Sequence, residues 1–139
     1  MIGEYQHSID AKNRLFIPAK FREELGGSFY ITKGPDGCIY VCSQEYWTSI
    51  EEKLKTFPIS KSRNLQRTLF ANAAKLEPDA QGRIVIPKKL KEYANLIKDV
   101  AIIGVSTHAE IWDLERWRQI DEDELTGDNM MANMDELGF

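Results

Sequence analysis

Along the 139-residue chain, apolar and polar positions fall into short blocks of two periods. YQHSI (5–9) alternates as a half-buried strand does. RLFI (14–17) alternates too, with Leu15 and Ile17 on one face, and the two neighbouring runs are expected to pair. FYIT (29–32) and CIYV (38–41) flank the turn-rich KGPDG and predict a hairpin. VAIIGV, STHA and EIW (100–112) predict a second. Elsewhere the period is helical. Phe21 and Leu25 follow Pro18, and Leu90 and Ala94 follow Pro87. Trp47, Ile50, Leu54 and Phe57 follow Ser43, and Leu114, Trp117 and Ile120 follow Asp113, with Ser43 and Asp113 as N-caps. These aromatics read as core, not as base-stacking platforms. Residues 58–71 read as a linker with a helical piece carried by Leu65 and Leu69; Arg63 and Arg67 share one side of it, a solvated face.

The blocks occur twice. DAKNRLFIPAKFR (10–22) returns 69 positions later as DAQGRIVIPKKLK (79–91). The hairpins correspond as well, FYIT with VAII and IYV with EIW, and Trp47 corresponds to Trp117. A unit of about 45 residues is too small to bury a stable core alone. The two halves are therefore expected to share one core as a fused pseudo-dimer. The expected division is a first repeat over 4–46, connecting helices and linker over 47–74, a second repeat over 75–118 and a C-terminal tail over 119–139. In the second half the counterpart of YQHSI is NAAKLEP, ending at Pro78, which predicts a weaker or edge strand.

The repeated segment has a legible local chemistry. Asp10 and Asp79 can accept a hydrogen bond from backbone two residues on and close a turn. Asn13 and Gly82 share the next-but-two position, and these residue types most readily take a left-handed backbone. Pro18 and Pro87 then fix φ at the expected first position of a short helix. Such a turn delivers Arg14 and Arg83 to its mouth, away from the core. A guanidinium held there suits phosphate or guanine, because its planar fork makes two parallel hydrogen bonds. The plainer alternative is that each arginine pairs with its own Asp10 or Asp79 and only stiffens the turn.

Charge sharpens the picture. The chain carries a net −4, which by itself argues against a nucleic-acid binder. Residues 119–139, however, hold seven acids and no Lys or Arg, so the remainder is +3. Segments 10–22 and 79–91 each carry four basic residues against one acid. The tail reads either as a mobile acidic end or as a helix whose Met130, Met134 and Leu137 form an apolar stripe that docks on a neighbour or on the protein's own core. Cys38 and Cys42 share one strand face and read as reduced, partly buried thiols. With His7 and His108 off ligand spacing, no metal site is expected. No nucleophile–base pair and no phosphate loop is present, so neither an enzyme, a cofactor nor a small-molecule substrate is expected. No membrane span and no secretory signal is read, which points to the cytosol.

The doubled D-A-x-[N/G]-R-x-x-I-P segments resemble the SpoVT-AbrB DNA-binding fold. Two in tandem resemble the MraZ family of bacterial transcriptional regulators, as do the opening GEYQHSIDAKNRLFIPAKFRE, QGRIVIP, EIW and the acidic end with its terminal GF. The resemblance covers essentially the whole chain. It implies an α+β, strand-rich fold of two tandem AbrB-like, swapped-hairpin repeats. It further implies a cytoplasmic, nucleoid-associated regulator of the division and cell-wall gene cluster. Such a regulator forms a ring-like homo-oligomer and binds short G-rich direct repeats in double-stranded promoter DNA, often its own. The family's DNA-contacting arginine matches Arg14 and Arg83, and its usual basic neighbour matches Lys12. Gln81 stands at that place in the second repeat, and Asn13 replaces the more usual glycine. Competing expectations are an AbrB-like antitoxin whose acidic tail binds a toxin, and a ring-forming scaffold for protein partners.

Overall fold

The computed structural model describes residues 1–139. In chain order the first half contributes β1 (Ile2–Ser8), β2 (Arg14–Phe16), α1 (Ala19–Leu25), β3 (Phe29–Lys33), β4 (Ile39–Cys42), α2 (Gln44–Lys55) and α3 (Ile59–Ala71). The second half contributes β5 (Ala74–Leu76), β6 (Arg83–Val85), α4 (Lys88–Tyr93), β7 (Asp99–Val105), β8 (Ala109–Asp113), α5 (Leu114–Asp123) and α6 (Gly127–Glu136).

Six strands form one antiparallel sheet in the order β1-β7-β8-β4-β3-β5, and β2 and β6 form a separate two-stranded ribbon. The order is symmetric about the β8–β4 seam, where the two halves meet. Both predicted hairpins are present, β3 with β4 and β7 with β8. The expected pairing of YQHSI with RLFI is not. One local rung survives, the Asp10 N–H donating to the Arg14 carbonyl at 3.0 Å, and the strands then part. β1 runs along β7 of the other half, Tyr5 opposite Ile102 and Ser8 opposite Asp99, while β2 runs along β6, Leu15 opposite Ile84. The exchange has a physical reason. Each local hairpin would leave one apolar face uncovered, whereas trading strands puts the inner faces of both halves into one core. β5 is the short edge strand that Pro78 predicts, three residues against β3.

One buried cluster takes residues from both halves: Leu15, Ile17, Phe21, Phe29 and Ile31 from the first, and Ile84, Ile86, Leu90, Val100 and Ile102 from the second. The shared core expected from the repeat length is therefore real. On the opposite sheet face Cys38, Ala101, Ile103 and Trp112 pack beneath Leu114, Trp117 and Ile120 of α5. Trp47 stacks on Tyr30 with ring centroids 4.7 Å apart and meets Phe70 of α3 edge-on. The linker is thus a full helix anchored to the sheet, and the Thr32 hydroxyl donates to its Leu69 carbonyl. Both cysteines are fully buried and reduced. Burial pushes the Cys42 thiol up to about 12 and raises Cys38 further still.

The predicted caps are in place: Ser43 Oγ accepts from the Tyr46 N–H, and an Asp113 carboxylate oxygen accepts from the Arg116 N–H. The prolines sit one place earlier than expected. Pro18 and Pro87 are N-caps with ψ of 137° and 140°, since they must still continue the extended strand before the helix turns. Thr126 caps α6, its hydroxyl accepting from the Asn129 N–H, and every residue of the helix, Gly127–Glu136, is solvent-exposed.

Candidate nucleic-acid interface

The two D-A-x-[N/G]-R segments form the same turn twice. In the first, Asp10 Oδ1 accepts from the backbone N–H groups of Lys12 and Arg14, both at 2.9 Å, and Oδ2 accepts from Arg14 Nε at 2.7 Å. In the second, Asp79 Oδ1 accepts from Gln81 and Arg83, both at 2.9 Å, and Oδ2 from Arg83 Nε at 2.9 Å. Asn13 and Gly82 hold φ of 59° and 80°, the left-handed backbone their identities predict. Both carboxyls are held below the ordinary aspartate range. The backbone N–H of Arg14 or Arg83 is the largest influence on each, ahead of the opposing pull of desolvation.

Each arginine is therefore in an internal ion pair and is still available. The pair uses Nε alone, neither Nη1 nor Nη2 has a protein partner, and the side chains are 32 % and 30 % exposed. The ribbon fixes where these groups face. Leu15 and Ile84 lie opposite one another and are buried, so Arg14, Phe16, Arg83 and Val85 alternate onto the other face. Val85, directly opposite Arg14, is 57 % exposed. Both arginines thus belong to one solvent-facing ribbon. Lys12 and Gln81 occupy equivalent exposed positions in the two turns, and Lys20, Lys88 and Lys89 are exposed on the helices that follow. The acids of α5 lie across the sheet from this ribbon, because α5 packs on the opposite sheet face.

The two turns are also tied to each other. The Ile17 N–H donates to the Gly82 carbonyl at 2.9 Å, and the Ile86 N–H donates to the Asn13 carbonyl at 2.8 Å. Two further residues, absent from the sequence-based set of site residues, complete the arrangement. Lys91 of α4 donates from Nζ to Asn13 Oδ1 at 2.8 Å, and Arg22 of α1 lies against Gly82, where an added Cβ would come within 2.6 Å of its guanidinium carbon. They are 69 positions apart, the repeat spacing, and that equivalence was the signal available for finding them. No group of three or more His, Cys, Asp or Glu side chains is placed to hold a metal ion, and no helix is long and apolar enough to cross a membrane.

Comparison with known proteins agrees with this architecture. The MraZ protein family, described as antitoxin-like, matches residues 1–67 and again 69–136. Proteins named transcriptional regulator MraZ are similar along almost the whole chain. That of Acetivibrio thermocellus is 49 % identical over 140 residues, covering 99 % of this chain and 98 % of its own. That of Clostridium beijerinckii is 45 % identical over 140 residues, covering 99 % of each. That of Caldanaerobacter subterraneus subsp. tengcongensis is 52 % identical over 121 residues, covering 86 % of this chain and 85 % of its own.

Proposed function

Starting from the chain's membership of the MraZ family of transcriptional regulators, we propose that it binds double-stranded DNA through the outer face of the β2/β6 ribbon and the two turns at its ends. One observation carries the reading. Two arginines sit on one exposed ribbon face, each oriented by an aspartate through Nε, each with both Nη groups unpartnered. A two-stranded ribbon fits the major groove, where a guanidinium meets guanine O6 and N7. Arg14 reads the base edge, Lys12 and Asn13 support it on phosphate or base edges, and Gln81 makes the corresponding contact of the second turn weaker. Asp10, Asp79 and Gly82 shape the turns, and Pro18 and Pro87 start the helices that brace them.

The targets in this reading are short G-rich direct repeats in the protein's own promoter, within the division and cell-wall gene cluster, and the protein works in the cytoplasm at the nucleoid. One protomer offers few phosphate contacts, and a ring-like homo-oligomer multiplies them by placing neighbouring ribbons on successive repeats. A gel-shift titration with the promoter repeats against a scrambled control tests this. Arg14→Ala is expected to abolish specific binding with the melting temperature unchanged, and undiminished affinity discards the role. Arg83→Ala is expected to weaken binding less. The affinity should fall steeply with salt, with a slope that grows with the number of protomers engaged.

A second reading, an antitoxin-like protein binder, is favoured by the family's description and by the exposed Met130 and Met131 of α6 and Leu137 just after it. It predicts that the promoter repeats shift no better than the scrambled control.

A further inference from the structure

We infer that each turn is completed by a cation from the opposite repeat, and that the two cations do different work: Lys91 sets the hydrogen-bonding polarity of Asn13, and Arg22 adds a second free guanidinium beside Gly82. The inference rests on the proposal that this face binds DNA.

The geometry begins with the ammonium of Lys91. It carries donors only, so the Asn13 atom 2.8 Å from it must be the amide oxygen. That oxygen is thereby turned inward to α4, and the Nδ2 hydrogens are the part of Asn13 left to face a ligand. A free asparagine reads adenine by accepting from N6 and donating to N7 at once. With one lone pair of its oxygen taken by Lys91 and the oxygen oriented towards α4, Asn13 is poorly placed to make the accepting half of that pair. It addresses acceptors, which guanine O6 and N7 supply, and it opposes the N6 amino group of adenine with another donor. Lys91 is accordingly a positioning residue for guanine-over-adenine preference at the first turn.

The second turn has no side chain in this slot. The Arg22 guanidinium fills the space, lying against Gly82, donating from Nε to the Ile17 carbonyl at 2.9 Å and standing 5.2 Å from the centre of the Phe16 ring. Its Nη groups have no protein partner. With Arg83 it gives the second turn two guanidiniums and, at the Asn13-equivalent position, no amide, a composition suited to phosphate oxygens. The two turns then divide the task, the first specifying and the second anchoring.

The test uses the full-length protein and its own promoter repeats, with each guanine of the repeat exchanged in turn for adenine, and affinity measured across a salt series. Lys91→Met should keep the salt slope while lowering guanine-over-adenine discrimination at one position by about tenfold. Lys91→Arg, still a donor, should restore it. Asn13→Gly keeps the left-handed backbone and should show the same loss, and adding Lys91→Met to it should change discrimination no further. Arg22→Gln should leave discrimination alone and lower the slope by about one. A Lys91→Met protein that loses all binding, or that loses about one unit of slope with discrimination intact, overturns the inference by giving Lys91 a DNA contact of its own. Undiminished discrimination in Asn13→Gly overturns it even if Lys91→Met fails to fold. Arg14→Ala runs alongside: full binding by that variant brings down the DNA-binding proposal itself, a result distinct from loss of binding in Arg14→Ala with unaltered base preference in Lys91→Met.

Discussion

Strand β1 runs for seven residues along β7 at one edge of the main sheet, and its counterpart β5 pairs over three residues with β3 at the other. The turns that follow these strands are nearly superimposable in their hydrogen bonds: the same aspartate oxygen takes the same two backbone N–H groups in each. They part company in side chains, at Lys12 against Gln81 and where Asn13 meets Lys91 and Gly82 meets Arg22. The repeats therefore agree where the backbone must turn and where the core must fill. They differ in length at the sheet edge and in the side chain carried by the left-handed position, where Asn and Gly both accept the backbone.

The largest effect that can break this comparison lies in the shared core. Leu15→Ala and Ile84→Ala each empty one side of the same contact, and each should cost about 2–5 kcal/mol in denaturant unfolding. Both should give one cooperative transition; two separate steps would show that the halves fold independently. Next is the left-handed position. Gly82→Ala forces a Cβ onto φ of 80° and against the Arg22 guanidinium, and it should destabilise by about 1–2 kcal/mol. Asn13→Gly, already left-handed, should change stability by less than about 1 kcal/mol.

The acid response should be the same in both halves. A carboxyl whose pKa is lowered on folding contributes stability above its unfolded value, and that contribution is lost as the pH falls through the folded one. Asp10 and Asp79 should thus add no pH dependence between about pH 5 and 8 and should release their turns together below about pH 4. Nuclear magnetic resonance titration of the two carboxyls checks this, and one titrating in the ordinary range while the other does not would mark the turns as unequal. The smallest effect belongs to α6. Its residues are all exposed, so deletion of 126–139 should leave the melting temperature within a degree or two of the intact chain. A larger drop would show that the helix is bound to something, and the mass of the intact and truncated proteins in solution would say whether that is a second copy.

Local features were readable from residue order because their partners lie within a few positions. Asp10 and Arg14, Ser43 and Tyr46, and Pro78 closing β5 all act over four residues or fewer. The inward faces followed from alternation, and Leu15, Ile17, Ile84 and Ile86 are all buried as that pattern requires. Strand exchange was not readable locally. YQHSI presents the same apolar face and the same backbone groups whether it pairs with RLFI or with β7, so periodicity cannot distinguish them; the resemblance to swapped-hairpin proteins could. The Lys91–Asn13 bond joins residues 78 positions apart and had only the repeat register to announce it.

The crossed bonds between Ile17 and Gly82 and between Ile86 and Asn13 place a local dyad through the middle of the ribbon. A protein with a true twofold there would look alike from either end, and its preferred site would be a palindrome. Here one end of the ribbon carries an amide and an ammonium and the other a glycine and a guanidinium. The ribbon consequently has a heading: turned end for end on a duplex, it would meet different atoms. If this face binds DNA as proposed, a row of such protomers, all facing the same way, would be matched to sequences that run head to tail.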